Sequence, residues 1–218
     1  MAHPDMSKII PTLKREVKRF QTPIVEVVAK KKRDPFRILV STMLSLRTKD
    51  ETTAAASKKL FAVADTPKNI AGLTHQRLEK LIYPVGFYRT KARSLKKTAA
   101  ILLREFNGKV PDTIEQLIEL PGVGRKTANL VVSLGFNKDG LCVDTHVHRI
   151  MNRFGYIHTK TPYDTEFVLR KKLPRKYWKY VNVLLVTWGQ NICAPISPKC
   201  SLCALRPWCR RVGVNKSR

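Results

Sequence analysis

Four of the chain's five cysteines crowd into 17 residues near its C-terminal end, as Cys193-x6-Cys200-x2-Cys203-x5-Cys209. No other feature restricts the fold as much, because four thiols so close in sequence must share one wrapped segment. A disulfide framework spreads an even set of cysteines along the chain it staples, and the count here is odd. A metal centre suits the clustering better. Zinc sites are usually built from paired C-x2–4-C knuckles, and only the central pair has that form. The outer gaps of six and five residues suit a larger object for four thiolates to wrap, such as a [4Fe-4S] cluster, with zinc as the alternative. Cys142, remote in sequence and set among apolar residues, reads as a core residue.

Upstream of the cysteines the patterning is helical. Ile10, Leu13, Val17 and Phe20 form one apolar stripe, and Ala92, Leu95, Ala99, Leu102 and Phe106 form another. Asp34-Pro35 and Thr66-Pro67 each set a capping oxygen before a proline suited to the first helical position. Asp112 with Glu115 resembles a capping box, and Gly108 reads as the stop signal after Phe106. Strand-like alternation is absent, Leu141-Cys142-Val143 being too short to count. The pattern predicts an all-α fold of about ten short helices.

Lysine and arginine number 42 against 16 acids, a formal charge of +26. Such a chain repels itself unless an anion neutralises it, which points first to nucleic acid and second to an anionic membrane. The start has no apolar stretch of signal-peptide type, and no run approaches a membrane span. An intracellular protein (cytoplasm or nucleoid, if prokaryotic) that crosses no membrane is therefore expected. Lys30-Lys31-Lys32-Arg33 is either a solvated loop or a phosphate contact. Lys14 with Lys18, and Arg15 with Arg19, place like charges four residues apart on one helix, a repulsion that a polyanion would relieve.

The segment from Ile118 to Ala128, Ile-Glu-Leu-Pro-Gly-Val-Gly-Arg-Lys-Thr-Ala, lies between two helical stretches. Pro121, Gly122 and Gly124 predict a tight turn whose backbone can approach another molecule closely. With a second helix starting near Arg125, the positive dipole end makes this an anion site, and a nucleic-acid phosphate is the natural anion. Gly122, Val123, Gly124 and Arg125 are thus candidate DNA contacts. It is not a nucleotide P-loop, whose G-x-x-x-x-G-K-[ST] pattern is unmatched. Lys126 falls in the first turn, where the dipole and Arg125 both oppose a cation; that arrangement prepares a nucleophilic amine, although a phosphate contact would also use it. Eighteen residues on, Val143-Asp-Thr-His-Val-His-Arg149 offers Asp144 as an N-cap that could also accept a proton. His146 and His148 are two apart and cannot share a helix face, so they do not form a metal site.

Taken together, Leu120-Pro-Gly-Val-Gly-Arg-Lys-Thr-Ala128, Val143-Asp-Thr-His146 and the four-cysteine tail resemble the endonuclease III family of DNA glycosylases, in order and in spacing. The resemblance implies a two-domain helix-hairpin-helix glycosylase fold. A six-helix barrel would cover residues 28–138, and residues 1–27 with 139–218 would form an iron-sulfur domain. It implies a monomer acting in base excision repair on double-stranded DNA that contains oxidised pyrimidines or abasic sites. Lys126 matches the family's nucleophile and Asp144 its catalytic aspartate, with His146 beside it as a DNA contact. Cys193, Cys200, Cys203 and Cys209 match the ligands of a [4Fe-4S] cluster. Phe87 falls where the family has an apolar wedge residue, although core packing would also account for it.

Two departures stand out. The family segment L-L-S-A-Q-A-T-D reads here Met43-Leu-Ser-Leu-Arg-Thr-Lys-Asp50, so Arg47 replaces the glutamine that fills the space left by a flipped base. The loop Ala194–Lys199 between the first two cysteines carries one basic residue, which weakens its phosphate-contacting role. A non-catalytic nucleic-acid-binding protein would also use the hairpin and the charge, but it would have no need of a nucleophilic amine.

Overall fold

Side-chain oxygens placed ahead of helical segments start most of this fold. In the computed structural model, which describes residues 4–21, 25 and 33–218, Asp34 Oδ1 accepts the N–H groups of Phe36 and Arg37 at 3.0 and 3.2 Å. Thr66 Oγ1 accepts from Asn69 at 3.2 Å. Both expected Asx/Thr-Pro starts are therefore real N-caps. The third lies one residue further on than Asp112: Thr113 caps, accepting the N–H of Gln116, while Asp112 pairs with Lys138 at 2.6 Å. A full capping box that the sequence reading passed over joins Thr161 and Asp164.

Eleven α-helices result among the described residues: α1 (Met6–Glu16), α2 (Pro35–Ser45), α3 (Asp50–Phe61), α4 (Pro67–Gly72), α5 (His75–Ile82), α6 (Tyr88–Glu105), α7 (Ile114–Ile118), α8 (Arg125–Phe136), α9 (Thr145–Phe154), α10 (Pro162–Lys172) and α11 (Trp178–Asn191). No strand occurs among those residues, and no helix is long and apolar enough to cross a membrane. Helix α6 stops as expected: Gly108, at φ +74°, returns its N–H to Leu102 O at 2.8 Å. The helix α1 ends at Glu16, which takes Arg15 at 3.3 Å and Arg19 at 3.2 Å. Lys14 lies over the Tyr180 ring. The repulsion expected on this helix is thus largely met inside the protein. Of the basic run, Lys30, Lys31 and Lys32 lie outside the described residues, and Arg33 is exposed.

The chain divides into two compact units, Ile24–Gly140 and Met1–Pro23 with Leu141–Arg218. In the first, α2 to α8 enclose a core that includes Ile38, Leu39, Leu44, Leu60, Leu78, Ile82, Leu95, Leu102 and Val131. Helix α2 packs on α8, and α6 packs on α4 and α5. In the second, α1, α9, α10 and α11 surround Ile9, Ile10, Leu13, Val147, Ile150, Leu169, Leu185 and the fully buried Trp188, with Phe20 edge-on to Trp188. Cys142 is buried in this unit.

Candidate functional site

The hairpin is built by backbone conformation. Helix α7 ends at Ile118, Leu120 accepts the Val123 N–H at 3.0 Å, and Gly122 adopts φ +81°. Only glycine enters that region without strain, and a Cβ there would also meet Ser94 at 3.2 Å. Gly124 differs: its backbone is extended and a Cβ would meet nothing within 4 Å. Nothing inside the unit demands a glycine there, which leaves room for an outside molecule to come close. Val123 is 6% exposed and belongs to the core, so of the hairpin tip only Gly122 and Gly124 are open. No side chain caps α8, whose first intrahelical bond runs from Ala128 N–H to Gly124 O at 2.9 Å. Arg125 is half-buried and Lys126 exposed at this positive helix end.

On the same unit Arg47 and Phe87 come together. The Arg47 guanidinium lies 4.7 Å from the centre of the Phe87 ring. Both residues have left-handed backbones, φ +53° and +58°, costly for side chains of this size. Phe87 is 58% exposed, which removes core packing as its role.

In the second unit Asp144 caps α9, its Oδ1 accepting the N–H groups of His146 and Val147 at 2.9 and 3.0 Å. The residue is only 8% exposed. His146 Nδ1 is 3.1 Å from Arg149 Nη2, whereas His148 Nδ1 meets Thr165 Oγ1 at 2.7 Å. The two imidazoles therefore take separate partners. Lys126 belongs to one unit and Asp144 to the other.

The four cysteines follow α11, spaced by short 3-10 turns at Cys200–Leu202 and Arg206–Trp208. None is in a disulfide. All four line one cavity, together with Arg153, Phe154, Trp188, Ile192 and Pro198. Among the described residues, no three side chains of His, Cys, Asp or Glu are grouped to hold a single metal ion. Four thiols facing one cavity are the donor set that an iron-sulfur cluster takes. Burial pushes the Cys203 thiol up to about 11, opposed by the Leu205 N–H and the Trp188 indole and reinforced by Cys193 and Cys209. Thiolates held there would need a compensating positive charge. Apart from that interaction with Cys203, the buried Trp188 Nε1 meets no hydrogen-bond partner, a donor suited to sulfur in the cavity.

Two arginines, unforeseen from the sequence, hold the first cysteine. Arg153 donates to Cys193 Sγ at 3.3 Å, Ala194 O at 2.7 Å and Pro195 O at 2.6 Å. Arg149 donates to Cys193 O at 2.8 Å. The available signal was position: Arg153 lies at Ile150 plus three, on the apolar face of α9.

The profile of the HhH-GPD superfamily base excision DNA repair protein matches residues 40–175. Endonuclease III of Thermotoga maritima is 48% identical over 86% of this chain and 90% of its own length. A solved non-covalent endonuclease III–DNA complex superimposes with a TM-score of 0.84 at 32% identity, covering 94% of each chain. A trapped endonuclease III–DNA covalent intermediate, an estranged-adenine complex, gives 0.77 at 36% identity over 82% of this chain and 84% of that one. On the family profile, the sequence identity and the shared fold, the chain belongs to the endonuclease III family of base excision repair DNA glycosylases.

Proposed function

We propose that this protein is a bifunctional glycosylase and AP lyase that acts as an intracellular monomer on oxidised pyrimidines and abasic sites in double-stranded DNA. The observation that carries the reading is Lys126, an exposed amine in the first turn of α8, directly behind a hairpin with open glycine backbone. In this reading Gly122, Gly124 and Arg125 grip phosphate, Val123 holds the turn from within, and His146 lies along the DNA.

The damaged nucleotide leaves the stack, at a cost of a few kcal/mol. The Lys126 amine attacks the sugar C1′, the C–N bond to the base breaks, and the base departs with the bonding electrons. The proton lost by the amine leaves with the departing base, and Asp144 matches the family's catalytic aspartate. The C1′–O4′ bond then opens, O4′ taking a proton, and the resulting C1′ imine acidifies the C2′ hydrogen; its removal sends electrons toward C3′, where the C–O bond breaks and the 3′ phosphate leaves. Hydrolysis of the imine returns the amine.

Cys193, Cys200, Cys203 and Cys209 would hold the [4Fe-4S] cluster. When bound, it supplies iron–thiolate bonds that close the C-terminal segment, a structural role.

Borohydride reduces such an imine to a stable protein–DNA adduct, which gives the test. Wild type should be trapped on DNA with a single abasic site, and Lys126→Ala should bind that DNA yet form no adduct. A normal trapping yield from Lys126→Ala would overturn the assignment, and no adduct from wild type would favour a simple DNA binder.

A further inference from the structure

Lys91 is a buried cation of the first unit that this mechanism leaves unused. It lies in the first turn of α6, where the helix dipole opposes positive charge, and it is 8% exposed. Burial pushes its ammonium down to about 8. A lysine so placed needs a compensating task, and its partners show one. Nζ donates to Leu44 O at 2.7 Å, Leu46 O at 2.5 Å and Thr48 Oγ1 at 3.0 Å. Three N–H groups thus meet three oxygens of the single short segment that carries Arg47.

That segment is also tied to the turn carrying Phe87. The Gly86 N–H donates to Thr48 Oγ1 at 3.1 Å. A Cβ on Gly86 would stand 2.6 Å from Arg47 O, so only glycine permits the two backbones to approach this closely. Phe87 O in turn accepts the Lys91 N–H at 3.0 Å. One residue therefore binds both sides of the Arg47–Phe87 stack, through its side chain on one side and its main chain on the other. Two strained left-handed residues persist only where their surroundings over-determine them.

We propose that Lys91 is a positioning residue, which locks the Arg47 segment and the Phe87 turn into one two-residue wedge that enters DNA where the damaged base has left. The proposal rests on the reading that Arg47 and Phe87 meet DNA at the lesion. Lys91 itself touches neither substrate nor reacting atoms. Its contribution is confined to substrates in which a base must be extruded and an opposing base left behind.

The test compares two substrates in single-turnover assays: a duplex with one oxidised pyrimidine, and a single strand with one abasic site, which offers no base to extrude and no opposing base. Lys91→Met should slow the duplex reaction about tenfold or more and leave single-strand cleavage within about twofold. Thr48→Val, which removes the shared acceptor but no buried charge, should show the same selective loss in weaker form, and it serves if Lys91→Met fails to fold. On an Arg47→Ala/Phe87→Ala background, Lys91→Met should add no further loss on the duplex. Equal loss on both substrates, no loss on the duplex, or an undiminished loss on the double-alanine background would each overturn the proposal. The reading beneath it has its own control: if Arg47→Ala/Phe87→Ala cleaves the duplex as fast as wild type, the wedge itself is wrong.

Discussion

The two units keep their functional groups in place by different means. In Ile24–Gly140 the positions are set by backbone: Gly122 at φ +81°, Arg47 at +53°, Phe87 at +58°, and a helix start without a side-chain cap. The bonds that stabilise these conformations span long stretches of chain, with Lys91 reaching back 43 to 47 residues. In the Leu141–Arg218 segment the chemistry is carried by side chains close in sequence: an aspartate capping its own helix, and four thiols within 17 residues. The contrast teaches where substitution should act. Lys126 apart, changes in the first unit should alter geometry, whereas in the second they should remove the group outright.

The strongest test of that contrast is Asp144→Asn. Asparagine keeps an oxygen to accept the His146 and Val147 N–H groups, so the cap and the fold should survive. The charge is lost, and base release should fall by about two to four orders of magnitude. Circular dichroism and single-turnover kinetics measure the two effects separately. Intact base release would reduce Asp144 to a cap and make the second unit purely structural.

Next in size is Arg153. Its three donations cross 40 to 42 residues, so the cysteine unit is less local than its sequence implies. Arg153→Gln removes three charged hydrogen bonds, to Cys193 Sγ and to the Ala194 and Pro195 carbonyls, and should cost about 3 kcal/mol. Wild type should carry close to four irons per chain by elemental analysis, and the variant fewer. One zinc and no iron in wild type would overturn the cluster assignment; full iron in the variant would show that the cysteines need no long-range support.

How much could be read in the chain follows the same division. The four cysteines, the Asp34 and Thr66 caps, the hairpin and Asp144 are contiguous signals, and all were legible, though placing the cap at Asp112 missed Thr113 by one residue. That miss has a simple cause, since both residues offer an oxygen and only the tertiary pairing of Asp112 with Lys138 decides between them. Lys91 and Arg153 were not legible as anchors. Each is a cation on the buried face of a helix, Lys91 four residues before Leu95 and Arg153 three after Ile150, and such a cation can as readily extend its charged end to water. Only the fold shows which carbonyls lie within reach.

Lys91 also gives a pH signature. Its folded value, about 8, lies below the ordinary 10.5. Between those values the unfolded chain binds the proton more tightly than the folded one, so the lysine's contribution to stability rises with pH across that window and is lost as pH falls through 8. The shift corresponds to roughly 3 kcal/mol at most across that window. Urea midpoints of wild type relative to Lys91→Met, followed from pH 7 to 10, should diverge in favour of wild type. A constant difference would mean that the Lys91 charge is not strained by burial.

The smallest effect concerns Arg47, which the proposal above places in the wedge. It is exposed and stacked on Phe87, so its guanidinium is presented on a rigid aromatic face. A glutamine in its place would both donate and accept; a guanidinium only donates, through a planar fork. The opposing base it favours must therefore offer acceptors, and guanine turns its O6 toward the gap. Lesions derived from cytosine face guanine, so the bias suits oxidised cytosines. Wild type should process a lesion opposite guanine several-fold faster than opposite adenine, a discrimination of about 1 kcal/mol for a partly solvated charged hydrogen bond. Arg47→Gln should flatten that preference without changing the rate opposite adenine by more than about twofold. Single-turnover rates for one lesion set against each of the four bases decide the matter. Equal slowing of all four would place Arg47 on the phosphate backbone, and the wedge would then consist of Phe87 alone.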